Sequence, residues 1–192
     1  MTIRNEDWEA RDPEVSQWAD TRFVDVDLID WDNVGGVFSD CQFQSVRFNV
    51  SRHTDAAFVN CTFVSCNFFD ATFTRTKLVG SKFDRCTLAL LKVNGGDWSF
   101  CGLAGADLGS AELHGVRMRE ADLTGARCAG AVLRDVDLSG AWTGKADFTG
   151  CDLRGSDLSS FELDTTTLSR AVVTADQAVV LATKLGLDVR AE

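Results

Sequence analysis

The chain of 192 residues has a single proline (Pro13), no tyrosine and only two histidines, His53 and His114. No run approaches the roughly 18 apolar residues that a membrane-spanning helix requires. The first twenty residues hold Glu6, Asp7, Glu9, Asp12, Glu14 and Asp20, the reverse of a signal peptide's basic start. A cytoplasmic protein is therefore expected, with no membrane contact. The two histidines make no triad or metal set with a convincing Ser, Cys or acidic partner. The seven cysteines include no CxxC, and Gly95-Gly96 lacks the Lys-Ser/Thr of a phosphate loop. The residues thus point to no enzyme, no cofactor and no metal. A formal charge of −10 disfavours direct binding to nucleic acid or anionic lipid and favours a basic partner, or simply solubility.

What is present is a repeat. Every fifth residue from Phe23 to Val173 is large and apolar: of thirty-one positions, twenty-three are Leu or Phe, and only Asn33, His53 and Thr143 are plainly polar. Two residues earlier, twenty-eight of the thirty-one are Ala, Cys, Ser, Thr, Val or Gly, with Trp31, Leu91 and Phe161 as exceptions. Six of the cysteines (Cys41, Cys61, Cys66, Cys86, Cys101, Cys151) fall there and Cys128 takes a large position, so buried free thiols explain all seven. Asp dominates the residue just before the large one in the second half, and Gly recurs two residues after it.

A period of five fits neither a helix nor a long strand. It fits a chain that turns a corner every five residues, with the large and small residues inward and the polar one outward. Four sides close a coil of twenty residues, and adjacent coils hydrogen-bond about 4.8 Å apart. Nearly eight such coils give a rod of roughly 37 Å. Asn33 and His53, twenty apart, should stack and hydrogen-bond to each other or to backbone.

The ends need covers, because an open solenoid exposes core and strand edges. Thr174-Ala175-Asp176-Gln177 reads as a capping box, Ala178, Leu181, Ala182 and Leu185 follow at helical spacing, and Gly186 stops the helix. With Leu187 and Val189 beyond it, this short helix can cap its rod or join two rods through a self-complementary patch. Residues 1–20 precede the clear repeat. Trp8 and Trp18 are in register with it, so Trp18 at least fits an imperfect first coil, and both suit plugging the core. The expected organisation is an N-terminal extension and cap (1–20), a repeat region (21–175) and a C-terminal helix and tail (176–192).

Units such as ADLTG (121–125), ADFTG (146–150), CDLRG (151–155) and SDLSS (156–160) resemble those of pentapeptide-repeat proteins. The resemblance covers residues 21–175 and implies an all-β fold, a right-handed quadrilateral β-helix with a short C-terminal α-helix. Within the family the chain looks most like the mycobacterial MfpA type. Its tail, TADQAVVLATKLGLDV (174–189), resembles that type's dimerising helix, and the uninterrupted register differs from Qnr-type proteins, which carry projecting loops. About fifteen extra residues before the first coil, and the lack of a proline near Leu90-Leu91, depart from the pattern. The resemblance implies a homodimer joined through its C-terminal end that imitates DNA, binds the type II topoisomerase DNA gyrase, modulates or inhibits it, and protects it from fluoroquinolones. The alternative is a scaffold or adaptor for another cytoplasmic partner.

The charge distribution bears on the mimicry: residues 1–32 carry −7, 33–95 carry +3 and 96–175 carry −5, with −1 in the tail. A dimer would bring two acidic segments together at its centre. Its −20 over about 75 Å is sparser than DNA's charge per roughly 1.7 Å, so shape must contribute. The outward acids of the second half are the expected gyrase contacts: Asp107, Glu112, Asp122, Asp137, Asp147, Asp152, Asp157, Glu162 and Asp164. Ala178, Leu181, Ala182, Leu185, Leu187 and Val189 are the expected dimer contacts.

Overall fold

Residues five apart turn a corner and residues twenty apart pair, in a computed structural model that describes residues 1–7 and 17–190. Every ladder is parallel, and the chain forms a β-solenoid with four walls. The first wall starts as a five-stranded sheet, Thr2–Arg4, Arg22–Val24, Gln42–Gln44, Thr62–Val64 and Lys82–Asp84, and continues through bridges at Gly102, Asp122 and Trp142. The second is held by single bridges, Asp7–Asp27–Arg47–Asn67–Thr87 and Asp107–Arg127–Asp147–Thr167. The third has six strands from Asp32–Val34 to Val132–Arg134, then bridges Val132–Asp152–Val172. The fourth has Gln17–Ala19, Val37–Ser39 and Ala57–Val59, then bridges on to Asp137.

The large residues stack as rungs. On the first wall Phe23, Phe43, Phe63 and Phe83 lie ring over ring at 4.7, 4.9 and 4.9 Å, followed by Leu103 and Leu123. Small inward residues with a polar atom have their own task. Ser81, Ser156, Cys61 and Cys66 each donate to the carbonyl of the large residue twenty-three positions earlier. At the corners, residues at multiples of five take positive φ even where they are Val50, Arg75, Leu90 or Phe100. The closed coil thus imposes a left-handed residue whose cost the ladder on both sides must outweigh. Gly96 is a different case, since a Cβ there would collide with the Thr76 carbonyl oxygen beneath it.

The ladder reaches further toward the N-terminus than the repeat pattern shows. Thr2–Arg4 pairs with Arg22–Val24, and Trp18 sits opposite Phe38, so parts of the expected extension 1–20 are already rungs. Trp8 lies outside the described residues.

Asn33 and His53 stack as expected, and both are buried. The Ser51 hydroxyl donates to the Phe48 carbonyl (2.7 Å), so it accepts from His53 Nε2–H (2.9 Å). His53 Nδ1 then accepts from the Asn33 amide (3.1 Å), and the ring stacks on Phe73 at 4.6 Å. This fixes a neutral Nε2–H imidazole. Burial pushes its pKa down to about 3, against a smaller opposing pull from Asp32. The folded value lies below the unfolded ~6.5, so the unfolded chain takes the proton first as pH falls. Stability from this site is complete above pH ~6.5 and is lost between there and ~3. Urea midpoints should therefore show a loss of about 2 kcal/mol from pH 7 to pH 5, largely removed in His53→Phe. A loss of the same size in the variant would assign it elsewhere.

At the C-terminal end the helix spans Ala175–Lys184, and both halves of the capping box form. Buried Gln177 does more than cap: its side-chain amide donates to the Leu153 and Ser156 carbonyls, both at 2.7 Å. Leu181 packs against the core, and Lys184 Nζ reaches the Ser159 carbonyl at 2.6 Å.

The second wall is interrupted once. Thr87 bridges Asn67, and Asp107 bridges Arg127, but 87 and 107 do not bridge. No backbone hydrogen bond joins residues 85–90 to 104–110, and the Leu90 N–H turns instead to the Ser110 hydroxyl at 3.0 Å. Two adjoining cavities of about 320 and 240 Å³ open there, sharing Cys86, Leu88, Asp107 and Arg127 as lining. Phe83, which lines one of the cavities, stands parallel at 6.0 Å to the indole of Trp98, a fully buried residue of the fourth wall. On the first wall the rungs are Phe from Phe23 to Phe83 and Leu at Leu103 and Leu123.

Candidate partner-binding surface

The aspartates just before the large inward residues have a local task first. Oδ1 of Asp107, Asp122, Asp137, Asp147, Asp152 and Asp157 each accepts the backbone N–H two residues on, at 2.8 to 3.3 Å. They brace the corner, as Asp side chains do in turns. The N–H of Gly109 and then the Arg127 guanidinium lower the Asp107 pKa. At Asp137 burial acts in the opposite direction, but hydrogen bonds from Ser139 and Arg119 prevail and the pKa is lowered. Bonds from the Thr149 hydroxyl and N–H lower that of Asp147.

The twenty-residue coil also sets opposite charges on neighbouring rungs. Asp107 pairs with Arg127 (3.2 Å), Asp137 with Arg119 (2.5 Å), and Asp152 with Arg134 (2.8 Å) and Arg154 (2.7 Å). Arg47–Asp27, Arg52–Asp32, Arg75–Asp55 and Arg117–Asp97 repeat the device along the rod. Such exposed pairs add little stability, about 0–1 kcal/mol each, but they cancel charge that a partner would otherwise meet.

The nine expected contacts do not form one patch. Asp122 is on the first wall, Asp107 and Asp147 on the second, Glu112 and Asp152 on the third, Asp137 and Asp157 on the fourth, while Glu162 and Asp164 lie in a turn beyond the end of the first wall's ladder. Among the described residues Glu112, Asp122, Asp147, Asp157, Glu162 and Asp164 make no ion pair, and of these Asp122 stands on the ladder of the first wall.

On that wall stands a residue that the repeat pattern hides. Trp142 occupies the outward position next to Asp122, on the last rung of the first wall's ladder, and is 60% exposed. Its surroundings are bare: Gly102 lies two rungs below, and the Glu162 carboxylate lies over Gly144, where a Cβ would come within 2.9 Å of it. An exposed tryptophan with unpaired carboxylates nearby suits a cationic side chain, which gains from the ring face and the acids together. The sequence signal was available: Trp142 takes the slot that Asp fills in most neighbouring repeats.

The C-terminal end presents a second surface. Leu185, Leu187 and Val189 are 67, 59 and 48% exposed, and Ala178 is also open. Leu181 faces its own core instead, with Ala182 half-buried beside it. Val179 and Val180, which helical spacing did not select, are exposed as well, as is Val172 on the last coil. Among the described residues no group of three or more His, Cys, Asp or Glu could hold a metal ion, and no helix is long and apolar enough to cross a membrane.

Full-length QnrB1, described as a plasmid-mediated fluoroquinolone resistance protein, aligns over 97% of this chain and 97% of its own, with a TM-score of 0.52 and 19% identity. A trypsin-treated variant of QnrB1 aligns over 99% and 98%, with a TM-score of 0.53 and 21% identity. At such identities the likeness is one of fold. No curated protein matches the sequence. The model of pentapeptide repeats matches eight copies, over residues 54–88, 101–140 and 131–170, more than half of the chain. With its four walls, its rungs and this match, the chain belongs to the pentapeptide-repeat family.

Proposed function

We propose that the protein is a DNA-mimicking homodimer, joined through its C-terminal ends, that binds DNA gyrase, modulates or inhibits it and protects it from fluoroquinolones. The observation that carries this reading is the first wall, where exposed Trp142 stands on the rung next to Asp122 and the Glu162 carboxylate lies over Gly144, with no base paired to either acid. A DNA-binding surface is rich in Arg and Lys, and that wall offers such side chains carboxylates and a ring face. The open apolar end formed by Val179, Val180, Leu185, Leu187 and Val189 supports the dimer, since a soluble chain gains by covering such a patch. The fold shared with QnrB1 is consistent with a role in quinolone resistance. The tail sequence at 174–189 and the unbroken register favour the MfpA branch over the Qnr branch.

Supercoiling by purified gyrase tests the reading. Inhibition or drug protection is expected at micromolar protein or below, weakening as salt is added because the attraction is screened. Trp142→Ala should raise the concentration needed about tenfold, the scale of one interface anchor. Leu185→Asp should abolish the dimer and most of the effect. An unchanged supercoiling rate at every concentration would leave the scaffold reading. That alternative draws on the spread of the acids over four walls and on the pairing of Asp107, Asp137 and Asp152, which suit a neutral docking rod.

A further inference from the structure

The break in the second wall opens one of seven thiols. Cys41, Cys61, Cys66, Cys101, Cys128 and Cys151 are buried, whereas Cys86 is partly exposed and lines both cavities. Cys66 lies directly beneath it: Asn67 bridges Thr87, and the Thr87 N–H donates to the Cys66 carbonyl at 3.0 Å. Both thiols point inward on the same column, Cys66 donating to the Phe43 carbonyl (3.4 Å) and Cys86 to the Phe63 carbonyl (3.5 Å). Paired residues on adjacent rungs stand about 4.8 Å apart at Cα, within the roughly 4.4–6.8 Å that a disulfide spans. Cys86 is also hydrogen-bonded into the ladder on one side only, so its segment can settle toward Cys66.

The protein contains its own control. Cys41 and Cys61 stack in the same way, beside the Gln42–Thr62 pair, but both are buried and their ladder is intact. The adjoining Cys66 thiol lowers the Cys86 pKa, and the adjoining Cys61 thiol lowers that of Cys41 to about 7. Acidity favours a thiolate in both pairs, so access distinguishes them.

We propose that Cys86 is a site of reversible oxidation by hydroperoxides, with Cys66 as the thiol that resolves it into a disulfide. The Cys86 thiolate attacks the terminal oxygen of the peroxide, the O–O bond breaks, and water or an alcohol leaves after protonation. Cys86 is then a sulfenic acid. The Cys66 sulfur attacks the Cys86 sulfur, the S–O bond breaks, and the departing hydroxide takes the Cys66 proton as water. Two electrons pass from the two thiols to the peroxide, and a small dithiol reverses the change.

The test is treatment of the full-length protein with hydrogen peroxide, followed by differential alkylation and peptide mass spectrometry. Wild type should form a Cys66–Cys86 disulfide at least about tenfold faster than Cys41 or Cys61 is lost. Cys66→Ser should yield Cys86 sulfenic acid that dimedone traps. The fold accepts serine at the small inward position, since Ser81 and Ser156 hold it on other walls and make the same bond to the carbonyl below, each at 2.7 Å. Oxidation of Cys41 as fast as Cys86, unchanged thiols throughout, or the same Cys86 product with and without Cys66 would each overturn the proposal.

Discussion

Phe63→Ala should lower the stability of the rod by about 3–5 kcal/mol, the scale for emptying a buried phenylalanine site. Its ring is stacked between Phe43 and Phe83, both at 4.9 Å, and meets Phe48, Phe58 and Phe68 edge-on. One truncation therefore removes contacts in three coils together. The cavity cannot collapse, because the ladder holds the neighbouring rungs about 4.8 Å apart. Phe63→Leu should cost far less, about 1 kcal/mol, since the second half of the chain builds the same wall from Leu103 and Leu123. Urea denaturation followed by circular dichroism measures both. A Phe63→Ala loss below about 1 kcal/mol would mean that the rungs do not act as a continuous core.

Gln177→Ala should cost about 2–3 kcal/mol, more than a helix cap alone contributes. The side chain closes the capping box by accepting from the Thr174 N–H at 2.7 Å, and it donates to two carbonyls of the last coils. Removing it leaves the Leu153 and Ser156 carbonyls without that donor and frees the helix from the rod. Two comparisons separate the roles. Thr174→Ala removes one cap bond and should cost about 1 kcal/mol. Gln177→Glu keeps an acceptor for the box but turns a carboxylate toward two carbonyls, and should cost at least as much as Gln177→Ala. Equal, small losses in all three variants would reduce Gln177 to an ordinary cap. Chemical denaturation gives the energies, and amide exchange in residues 175–184 shows whether the helix has come free.

The walls were legible in the sequence because their rule is one-dimensional. A large residue every fifth position and a small one two places earlier place Phe63 over Phe43 without knowledge of any other contact. The capping box at Thr174 and the Asn33–His53 stack follow from the same kind of local or twenty-residue spacing. The acids were legible as outward residues but not as binding residues. Whether Asp137 is free depends on where Arg119 reaches, and whether Asp122 is free depends on the absence of a base on the adjacent rungs. Leu181 was selected with Leu185 by helical period, yet the way the helix lies on the rod turns one inward and leaves the other open.

By itself, then, the sequence determined the coil, its period, its inward and outward residues and the place of its closing helix. Each is set by neighbours five or twenty positions away, and a periodic chain repeats the same local solution. Only the tertiary structure decided where that solution fails. Leu88 and Leu108 are in register like every other rung, and nothing in either repeat marks a break, yet the second wall parts at residues 85–90 and 104–110. Contacts between coils, invisible to any one repeat, likewise leave Trp142 exposed beside unpaired Asp122 and open Cys86 alone among seven similar thiols.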